Sequence, residues 1–142
     1  MKVSEVMTTE IETISADQSA REAASFMLRA DAGSIPVCEG DKVIGMITDR
    51  DIAVRGVAEG KGPDCSVRDL MSSELIYARD TDDVLAIAQR MSDKQVRRLP
   101  VLDAEDKLVG MVSLGDLSRE AQESAAATAL EGVSAAGGQH AQ

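Results

Sequence analysis

The chain contains the same pattern twice, and this duplication limits the possible folds more than any other feature of the sequence. A shift of 64 positions aligns the first half with the second, and one extra residue in the turn 103–106 changes the shift to 65. The aligned pairs include Val3 with Val67, Met7 with Met71, Met27 with Met91, Pro36 with Pro100, Gly45 with Gly110 and Asp51 with Asp116. A repeat of this size buries only a modest share of its own surface, so two copies are expected to pack together. We divide the sequence into repeat one (1–62), repeat two (63–121) and an Ala/Gly-rich C-terminal segment (122–142).

Each repeat is predicted to fold as β-α-β-β-α, in the α+β class (α/β-type). The predicted strands are Ile11–Ile14, Ser34–Cys38 and Lys42–Ile47 in repeat one, and Leu75–Ala78, Arg98–Leu102 and Lys107–Val112 in repeat two. Apolar residues at positions i, i+3, i+4 and i+7 predict a helix after the first strand of each repeat, beginning at Ala20 and at Val84. The expected cap residues of these helices are Asp17 or Ser19, and Asp80 or Asp82. A short sheet on two helices in each repeat, related by a pseudo-twofold axis with sheet against sheet, completes the predicted architecture.

The second helix of repeat one is predicted to begin at Thr48 and to run to about Val57, and that of repeat two to begin at Ser113. Gly60, Gly62 and Pro63 are expected to close the first of these helices. In the C-terminal segment the alanine run favours helix and the later glycines favour disorder. Both a mobile tail and a segment that docks on a partner subunit stay open.

The composition excludes several classes of protein. The formal charge is −10, and no basic patch of the kind that binds nucleic acid or anionic lipid occurs. No apolar run approaches the roughly 18–20 residues of a membrane span, and the N-terminus lacks a signal peptide, so we expect a cytoplasmic protein. Cys38 and Cys65 are expected to be free thiols. No metal site is expected, because the one histidine is His140 and the carboxylates show no ligand spacing.

The last strand of each repeat ends in the pattern Gly-h-h-Thr/Ser-x-x-Asp, in which h is an apolar residue. The first copy begins at Gly45 and the second at Gly110. Thr48 is expected to be an N-cap that satisfies a backbone N–H donor of the helix. A hydroxyl at a helix start also suits a phosphate oxygen. The pattern therefore predicts either a plain helix cap or an anion site, once in each repeat.

The duplicated β-α-β-β-α plan, the Pro-Val dipeptides and the Gly-h-h-Thr/Ser-x-x-Asp endings together resemble the CBS domain (cystathionine β-synthase domain). Two such domains in one chain look like a stand-alone CBS pair, or Bateman module. The chain is also similar to the small bacterial two-CBS proteins of the hypoxic-response type, which share an Arg-Arg-x-Pro-Val stretch. The resemblance covers about residues 1–120 and implies an adenine-nucleotide or adenosyl ligand in the cleft between the repeats.

The resemblance implies a role for each matching residue. The hydroxyls of Thr48 and Ser113 would contact phosphate, and the carboxylates of Asp51 and Asp116 would hold the ribose hydroxyls. An adenine slot would be lined by two stretches in each repeat. These are Thr13-Ile14 with Ile35-Pro36-Val37, and Tyr77-Ala78 with Leu99-Pro100-Val101. Pro36 and Pro100 either shape a pocket edge or only end their strands.

Three arginines make the two sites unequal. Arg50 lies between Thr48 and Asp51 and either reaches a phosphate or pairs with a neighbouring acid. Arg97 and Arg98 either serve phosphates in one of the sites or pair with surface acids at the strand start. From this comparison, repeat one is expected to be the preferred site, helped by an arginine of repeat two.

Catalysis is not expected, because no Ser or Cys has a base beside it and no P-loop occurs. The leading hypothesis is a non-catalytic regulatory module that needs no cofactor and binds an adenine nucleotide such as AMP, ADP or ATP. A homodimer and an unidentified effector protein are the expected protein partners. The alternative is a structural or protein-interaction CBS dimer with vestigial ligand sites.

Overall fold

The computed structural model describes residues 1–120 and 130–132. Its elements follow the β-α-β-β-α order in each repeat. The first three strands are β1 (Ile14–Ser15), β2 (Ser34–Glu39) and β3 (Lys42–Thr48), and the last three are β4 (Ala78–Arg79), β5 (Arg98–Leu102) and β6 (Leu108–Ser113). The helices are α1 (Ala20–Ala30), α2 (Asp49–Asp51), α3 (Val84–Lys94) and α4 (Leu114–Glu120). None of the helices in the described part of the chain is long and apolar enough to span a membrane.

The chain forms two compact units, each with its own sheet and core. The first unit is Glu12–Leu75, and the second unit is Met1–Ile11 with the described residues from Ile76 onward. Each sheet has three strands, in the orders β1-β2-β3 and β4-β5-β6. The first two strands of each sheet are parallel, and the last two form an antiparallel hairpin. Both sheets carry the same irregularity in the hairpin, after Val37 and after Val101.

The two units exchange the short segments that open each repeat, residues 3–8 and 67–72, which we call the leads. The lead of repeat one forms a 3₁₀ turn at Val3–Glu5, and Val3 is fully buried in the core of the second unit. The lead of repeat two turns at Val67–Asp69, and Val67 and Leu70 are fully buried in the core of the first unit. The repeat boundaries 1–62 and 63–121 were predicted from the duplication in sequence; the compact units differ from them, since each unit takes its lead from the other repeat.

Backbone pairing holds each lead beside the last strand of its sheet. In the first unit, Met46 and Ser72 exchange N–H···O bonds of 3.0 and 2.9 Å. In the second unit, Thr8 and Met111 do the same at 2.8 and 2.9 Å. These pairs explain the glycine of each Gly-h-h-Thr/Ser-x-x-Asp pattern, because Gly45 and Gly110 precede Met46 and Met111. A Cβ on Gly45 would lie 2.3 Å from the carbonyl oxygen of Ser72, so only glycine fits there without a shift of the backbone.

The first strands differ from the prediction. The strands expected at Ile11–Ile14 and Leu75–Ala78 are instead the two-residue strands β1 and β4. The reason is the pairing, since only Ile14 and Ser15 find partners on β2, and only Ala78 and Arg79 find partners on β5. The other predicted strands lie within one residue of the observed bounds.

The helix caps bear out one prediction and correct another. Ser19 caps α1 and accepts a hydrogen bond from the backbone N–H of Glu22 at 3.1 Å. Neither Asp80 nor Asp82 caps α3, because Asp83 is the N-cap and accepts from the N–H of Leu85 at 2.9 Å. Asp82 instead accepts from the backbone N–H of Arg79 at 2.8 Å and so closes the turn before the helix.

The helix predicted from Thr48 to about Val57 has a mixed geometry. Thr48 is its N-cap, as expected, and α2 covers only Asp49–Asp51. The chain then continues as a π-helical segment, Ile52–Gly56, and a 3₁₀ turn, Val57–Glu59. Gly60 ends the run in the left-handed conformation with φ of 79°, as expected of a closing glycine. Most of the C-terminal segment 122–142, for which both a mobile tail and a docking segment were considered, lies outside the described residues.

Candidate functional site

The plan that the two repeats share places a hydroxyl and a carboxylate together where β3 and β6 end. Thr48 Oγ1 accepts from the backbone N–H of Asp51 at 3.1 Å, and Asp51 Oδ2 accepts from the N–H of Thr48 at 2.9 Å. Ser113 and Asp116 make the same two bonds, at 3.1 and 2.9 Å. This reciprocal arrangement is a capping box, with aspartate in place of the more usual glutamate. Each pair is thereby held in one geometry at its strand end.

The capping bonds leave some ligand-binding capacity at these groups. A hydroxyl that accepts from an N–H keeps its own proton to donate, and a carboxylate that uses one oxygen keeps the other. Asp51 is half-buried, and its Oδ1 atom makes no hydrogen bond within the part of the chain that the structure describes. Asp116 is only 4% exposed and has a further interaction besides the cap. The repeat-one carboxylate is therefore the more accessible of the two.

Strand alternation divides the predicted lining residues between two faces of each sheet. In the first unit, Ile35 and Ile47 lie opposite each other and are at most 1% exposed, within the core. The next pairs along the hairpin, Ser34 with Thr48 and Pro36 with Met46, project from the other face. We call this second face the site face.

The second unit repeats this division between faces. Arg98 lies opposite Ser113, and Pro100 lies opposite Met111, both on the site face of the second unit. Leu99 and Val112 form the core-facing pair between them. The structure therefore brings each cap hydroxyl and the proline of the same repeat onto one face.

Several predicted adenine-lining residues lie in the cores instead. Their side chains are at most 4% exposed and belong to the core of their own unit; they are Ile14, Ile35, Val37, Ala78, Leu99 and Val101. Only the backbone of these residues is left for contact with a ligand. The neighbouring Thr13 is exposed, and Tyr77 is half-buried, with the Arg79 guanidinium 5.1 Å from its ring centroid.

A surface cavity lies beside two of the predicted residues. It has a volume of about 350 Å³, and Thr13 and Ile14 line it together with the polar face of α1, including Arg21 and Arg29. The cap pair Thr48 and Asp51 does not line this cavity. The predicted residues of repeat one are therefore not gathered into one cavity of the first unit.

The arginines differ in whether they are already paired. Arg79 contacts Asp106 at 2.6 Å, and this hydrogen bond raises the pKa of the Arg79 guanidinium. Arg90 donates to the carbonyl oxygen of Tyr77 and lies 3.7 Å from Asp82. By contrast, the guanidinium groups of Arg50, Arg97 and Arg98 are exposed and make no ion pair with any described residue. Of the arginines predicted to serve a phosphate, all three are therefore available to a bound anion.

The Cys38 thiol is poorly suited to nucleophilic chemistry. Burial raises the pKa of the Cys38 thiol, and a hydrogen bond with the Thr13 side chain opposes this effect only in part. Because the thiolate is the reactive form, this cysteine is largely protonated at neutral pH. Both Cys38 and Cys65 are free. Among the side chains that the structure describes, no group of His, Cys, Asp and Glu is arranged to hold a metal ion.

Sequence reasoning missed three features of the site face. Ser34 and the two methionines, Met46 and Met111, lie on it, although none was a candidate. Alternation along the hairpin could have found them, since they are two positions from Pro36, Thr48 and Ser113 on the same or the paired strand. The buried Ser34 hydroxyl has no hydrogen-bond partner among the described residues.

Comparison with known proteins agrees with this architecture. The CBS domain family model matches residues 3–56 and 67–123. The CBS domain-containing protein YhcV of Bacillus subtilis is 40% identical over 133 residues, which cover 93% of this chain and 94% of that protein. Hypoxic response protein 1 of Mycobacterium tuberculosis is 32% identical over 123 residues, or 85% of each chain. The similarity to the hypoxic-response type is thereby confirmed.

Solved structures give the same result. The crystal structure of Hypoxic Response Protein I with two coordinated zinc ions is 29% identical, with a TM-score of 0.79 over 86% of this chain and 100% of that one. The CBS domain pair of protein MJ0100, in complex with 5′-methylthioadenosine and S-adenosyl-L-methionine, is 28% identical, with a TM-score of 0.74 over 84% of this chain and 98% of that one. The duplicated sequence, the two three-stranded sheets and these matches lead to one conclusion: the chain belongs to the CBS domain family and carries two CBS domains.

Proposed function

We propose that the protein is a non-catalytic regulatory module that binds an adenine nucleotide or another adenosyl ligand. The observation that carries this proposal is the pair of matched caps, Thr48 with Asp51 and Ser113 with Asp116. Each holds a hydroxyl donor beside a carboxylate, on a sheet face that also carries a proline. A ribose and its 5′-substituent present the complementary groups, because a carboxylate accepts from two vicinal hydroxyls and a hydroxyl donates to a phosphate oxygen.

The charge distribution supports an anionic ligand. The protein carries a formal charge of −10, yet Arg50, Arg97 and Arg98 are exposed without an ion pair in the described part of the chain. Arginine suits phosphate because its planar fork can make two parallel hydrogen bonds. The similarity to the MJ0100 pair, which is complexed with two adenosyl compounds, supports an adenosyl ligand in the same way.

Regulation would act through differential binding. A ligand shifts the equilibrium of a protein toward the arrangement that it binds more tightly, by an amount equal to the difference in binding free energy. No enzymatic step is needed for this, and the raised pKa of the Cys38 thiol does not favour one. An effector protein and a second copy of the chain are the proposed partners that would respond.

A ligand screen tests the proposal directly. Thermal unfolding of the full chain would be measured with AMP, ADP, ATP, NAD(H), S-adenosylmethionine and cyclic dinucleotides, and the positive compounds would be titrated by calorimetry. The proposal predicts that at least one adenosyl compound raises the melting temperature, since a ligand at 100 times its Kd stabilises a protein by about 2.7 kcal/mol. No binding of any of them at millimolar concentration would contradict it.

The second candidate is a structural or protein-interaction dimer in which the sites are vestigial. Two observations favour it: the cap groups already have a structural role, and the first unit exposes large apolar side chains, with Leu28 83% and Val57 72% exposed. This candidate predicts a dimer in sedimentation experiments that Leu28→Glu or Val57→Glu dissociates, with no response to any nucleotide. Strong stabilisation by a nucleotide would count against it.

A further inference from the structure

The C-terminal segment contacts α3 of its own chain at Ser92. Residues 130–132, which we call the C-terminal turn, have helical backbone, and Gly132 lies directly against Ser92. A Cβ on Gly132 would overlap with the Ser92 hydroxyl and would lie 2.6 Å from Ser92 Cα. Glycine permits an approach this close, because it has no side chain to keep the two backbones apart. The C-terminal turn is therefore seated on α3.

The equivalent position in repeat one has the opposite character. The shift of 64 positions aligns Ser92 with Leu28 of α1. Leu28 is 83% exposed, whereas Ser92 is half-buried. The small serine leaves room for the Gly132 backbone, and the longer leucine side chain would compete with the turn for this space. The serine and the glycine thus fit each other, at a position where the other repeat exposes a large apolar side chain.

The contact with Ser92 covers one face of α3. We define the outer face of α3 by Leu85, Gln89 and Ser92, which share one side of the helix because they are spaced i, i+4 and i+7. Leu85 and Gln89 are exposed. Two packed helices have axes about 8–10 Å apart. The C-terminal turn occupies this space beside Ser92, so a second helix can pack there only when the turn is displaced.

The α1 helix carries groups complementary to the outer face of α3. Leu28 is followed by Arg29, which is exposed and makes no ion pair with any described residue. The residue of α3 equivalent to Arg29 is Asp93, which is exposed and accepts a hydrogen bond from Gln89 at 2.8 Å. The α1 helix of a second copy would therefore bring a leucine and a cation to a face that carries Leu85 and an acid. A second copy of the chain is the partner that fits this face.

We propose that the C-terminal turn is a cover built into the chain, which keeps a second copy off the outer face of α3 until the turn is displaced. Association through α3 is then limited by the fraction of molecules in which the turn is displaced, because only these can bind. The inference rests on the part of the proposed function that names a second copy as a partner. It requires no nucleotide.

The test follows the turn and the association separately, in the full chain without nucleotide. A Glu-specific protease cleaves after Glu131, and the rate of this cleavage, followed by mass spectrometry, reports displacement of the turn. Sedimentation velocity reports association. Gly132→Gln places a long neutral side chain where Ser92 leaves no room, and Gly62→Gln is the matched control, because a Cβ at Gly62 would meet nothing within 4 Å. Thermal unfolding verifies that each variant is folded.

The variants have distinct expected results. Gly132→Gln raises the rate of cleavage at Glu131 about tenfold or more, because overpacking of this kind favours the displaced turn by about that factor. The association constant rises by a similar factor. Adding Leu28→Glu removes this gain, since the α1 helix of the second copy loses its apolar contact. Gly132→Ala is also cleaved faster, and Ser92→Gly in the same chain restores slow cleavage by removing the side chain that the alanine would meet. Gly62→Gln changes neither measurement.

Several outcomes would overturn the inference. Unchanged cleavage in Gly132→Gln, or no restoration by Ser92→Gly, would show that the turn is not seated on Ser92. Faster cleavage without stronger association would show that the turn does not keep a second copy off α3. A gain in association that survives Leu28→Glu would show that the α1 helix is not the partner surface. None of these outcomes depends on nucleotide binding, so failure of this inference is distinguishable from failure of the proposed function.

Discussion

A Cβ atom on Gly45 would lie 2.3 Å from the carbonyl oxygen of Ser72, and that carbonyl accepts the backbone N–H of the next residue, Met46, at 3.0 Å. The glycine of the Gly-h-h-Thr/Ser-x-x-Asp pattern is thus explained by the lead segment that pairs with β3. The same holds at Gly110, where a Cβ would meet the side chain of Met7 at 2.6 Å and the carbonyl oxygen of Thr8 at 3.0 Å. The pattern therefore combines a packing requirement with a helix cap.

Alanine at these glycines should destabilise the two units to different extents. We expect Gly45→Ala to cost about 2–3 kcal/mol of unfolding free energy, because the new Cβ meets backbone that cannot move without breaking the Met46–Ser72 pair. Gly110→Ala should cost less, about 1 kcal/mol, because the nearest obstacle is the flexible end of Met7. Urea denaturation measures both.

Gly62→Ala is the matched control for these substitutions. A Cβ on Gly62 would have no neighbour within 4 Å, and its φ is not in the left-handed region. We expect no loss of stability, and a gain of up to about 1 kcal/mol from the smaller entropy of the unfolded chain. Equal losses at Gly45 and Gly62 would show that the lead does not pack as described.

The cap of α3 gives a second prediction. Asp83→Ala should cost about 1 kcal/mol, because the N–H of Leu85 loses its acceptor. Asp80→Ala should cost less, because the Asp80 side chain makes no hydrogen bond within the described residues. The two free energies of unfolding are compared in urea. A larger loss of unfolding free energy in Asp80→Ala than in Asp83→Ala would contradict this assignment and support Asp80 as the cap, as the sequence predicted.

These two regions show where sequence reasoning succeeds and where it stops. The aligned repeats predicted the order of the elements, and β5 has the predicted bounds, because alternation and Pro100 define it locally. Three acids in the stretch 80–83 can all cap a helix, so composition could not choose among them. The hydrogen bond from the N–H of Arg79 to Asp82 explains which acid is the cap. It holds the Asp82 carboxylate in the preceding turn, so Asp83 is the residue left to cap the helix.

The exchange of leads had no comparable local signal. Thr8 pairs with Met111, and Ser72 pairs with Met46, entirely through backbone atoms. Side-chain patterns do not predict such pairs. The glycines that precede the two methionines are a sequence feature that the pairs explain, because a Cβ there would meet the lead. For the site, the repeats predicted the helix caps correctly. The sheet face from which the Ile35 and Leu99 side chains project depends on the strand register, which residue spacing alone does not fix.

The acidic turn of the second unit should make stability depend on pH. Hydrogen bonds from the backbone N–H groups of Lys107 and Glu105 lower the pKa of the Asp103 carboxyl below its ordinary value. A carboxyl with a lowered pKa in the folded state stabilises the fold above its unfolded pKa of about 3.9, and this contribution is lost as the pH falls through the folded value.

Asp103→Asn tests this dependence, because it keeps an oxygen acceptor and removes the titration. We expect the variant to be less stable than the wild type at pH 7. The difference should shrink as the pH is lowered from about 5 through the ordinary aspartate range near 3.9. Urea midpoints measured across this range give the result. A difference that is constant with pH would mean that the carboxylate of Asp103 is not favoured by folding.

The most direct test of the central claim is calorimetric titration of the Asp51→Asn, Asp116→Asn double variant with the adenosyl compound that binds the wild type most tightly. Asparagine keeps an oxygen that can accept the N–H of Thr48 or Ser113, so the caps are retained while the charge that would bind ribose hydroxyls is lost. We predict that affinity falls about tenfold or more, with the melting temperature changed little. Unchanged affinity in a folded double variant would contradict the assignment of these two carboxylates to a ligand.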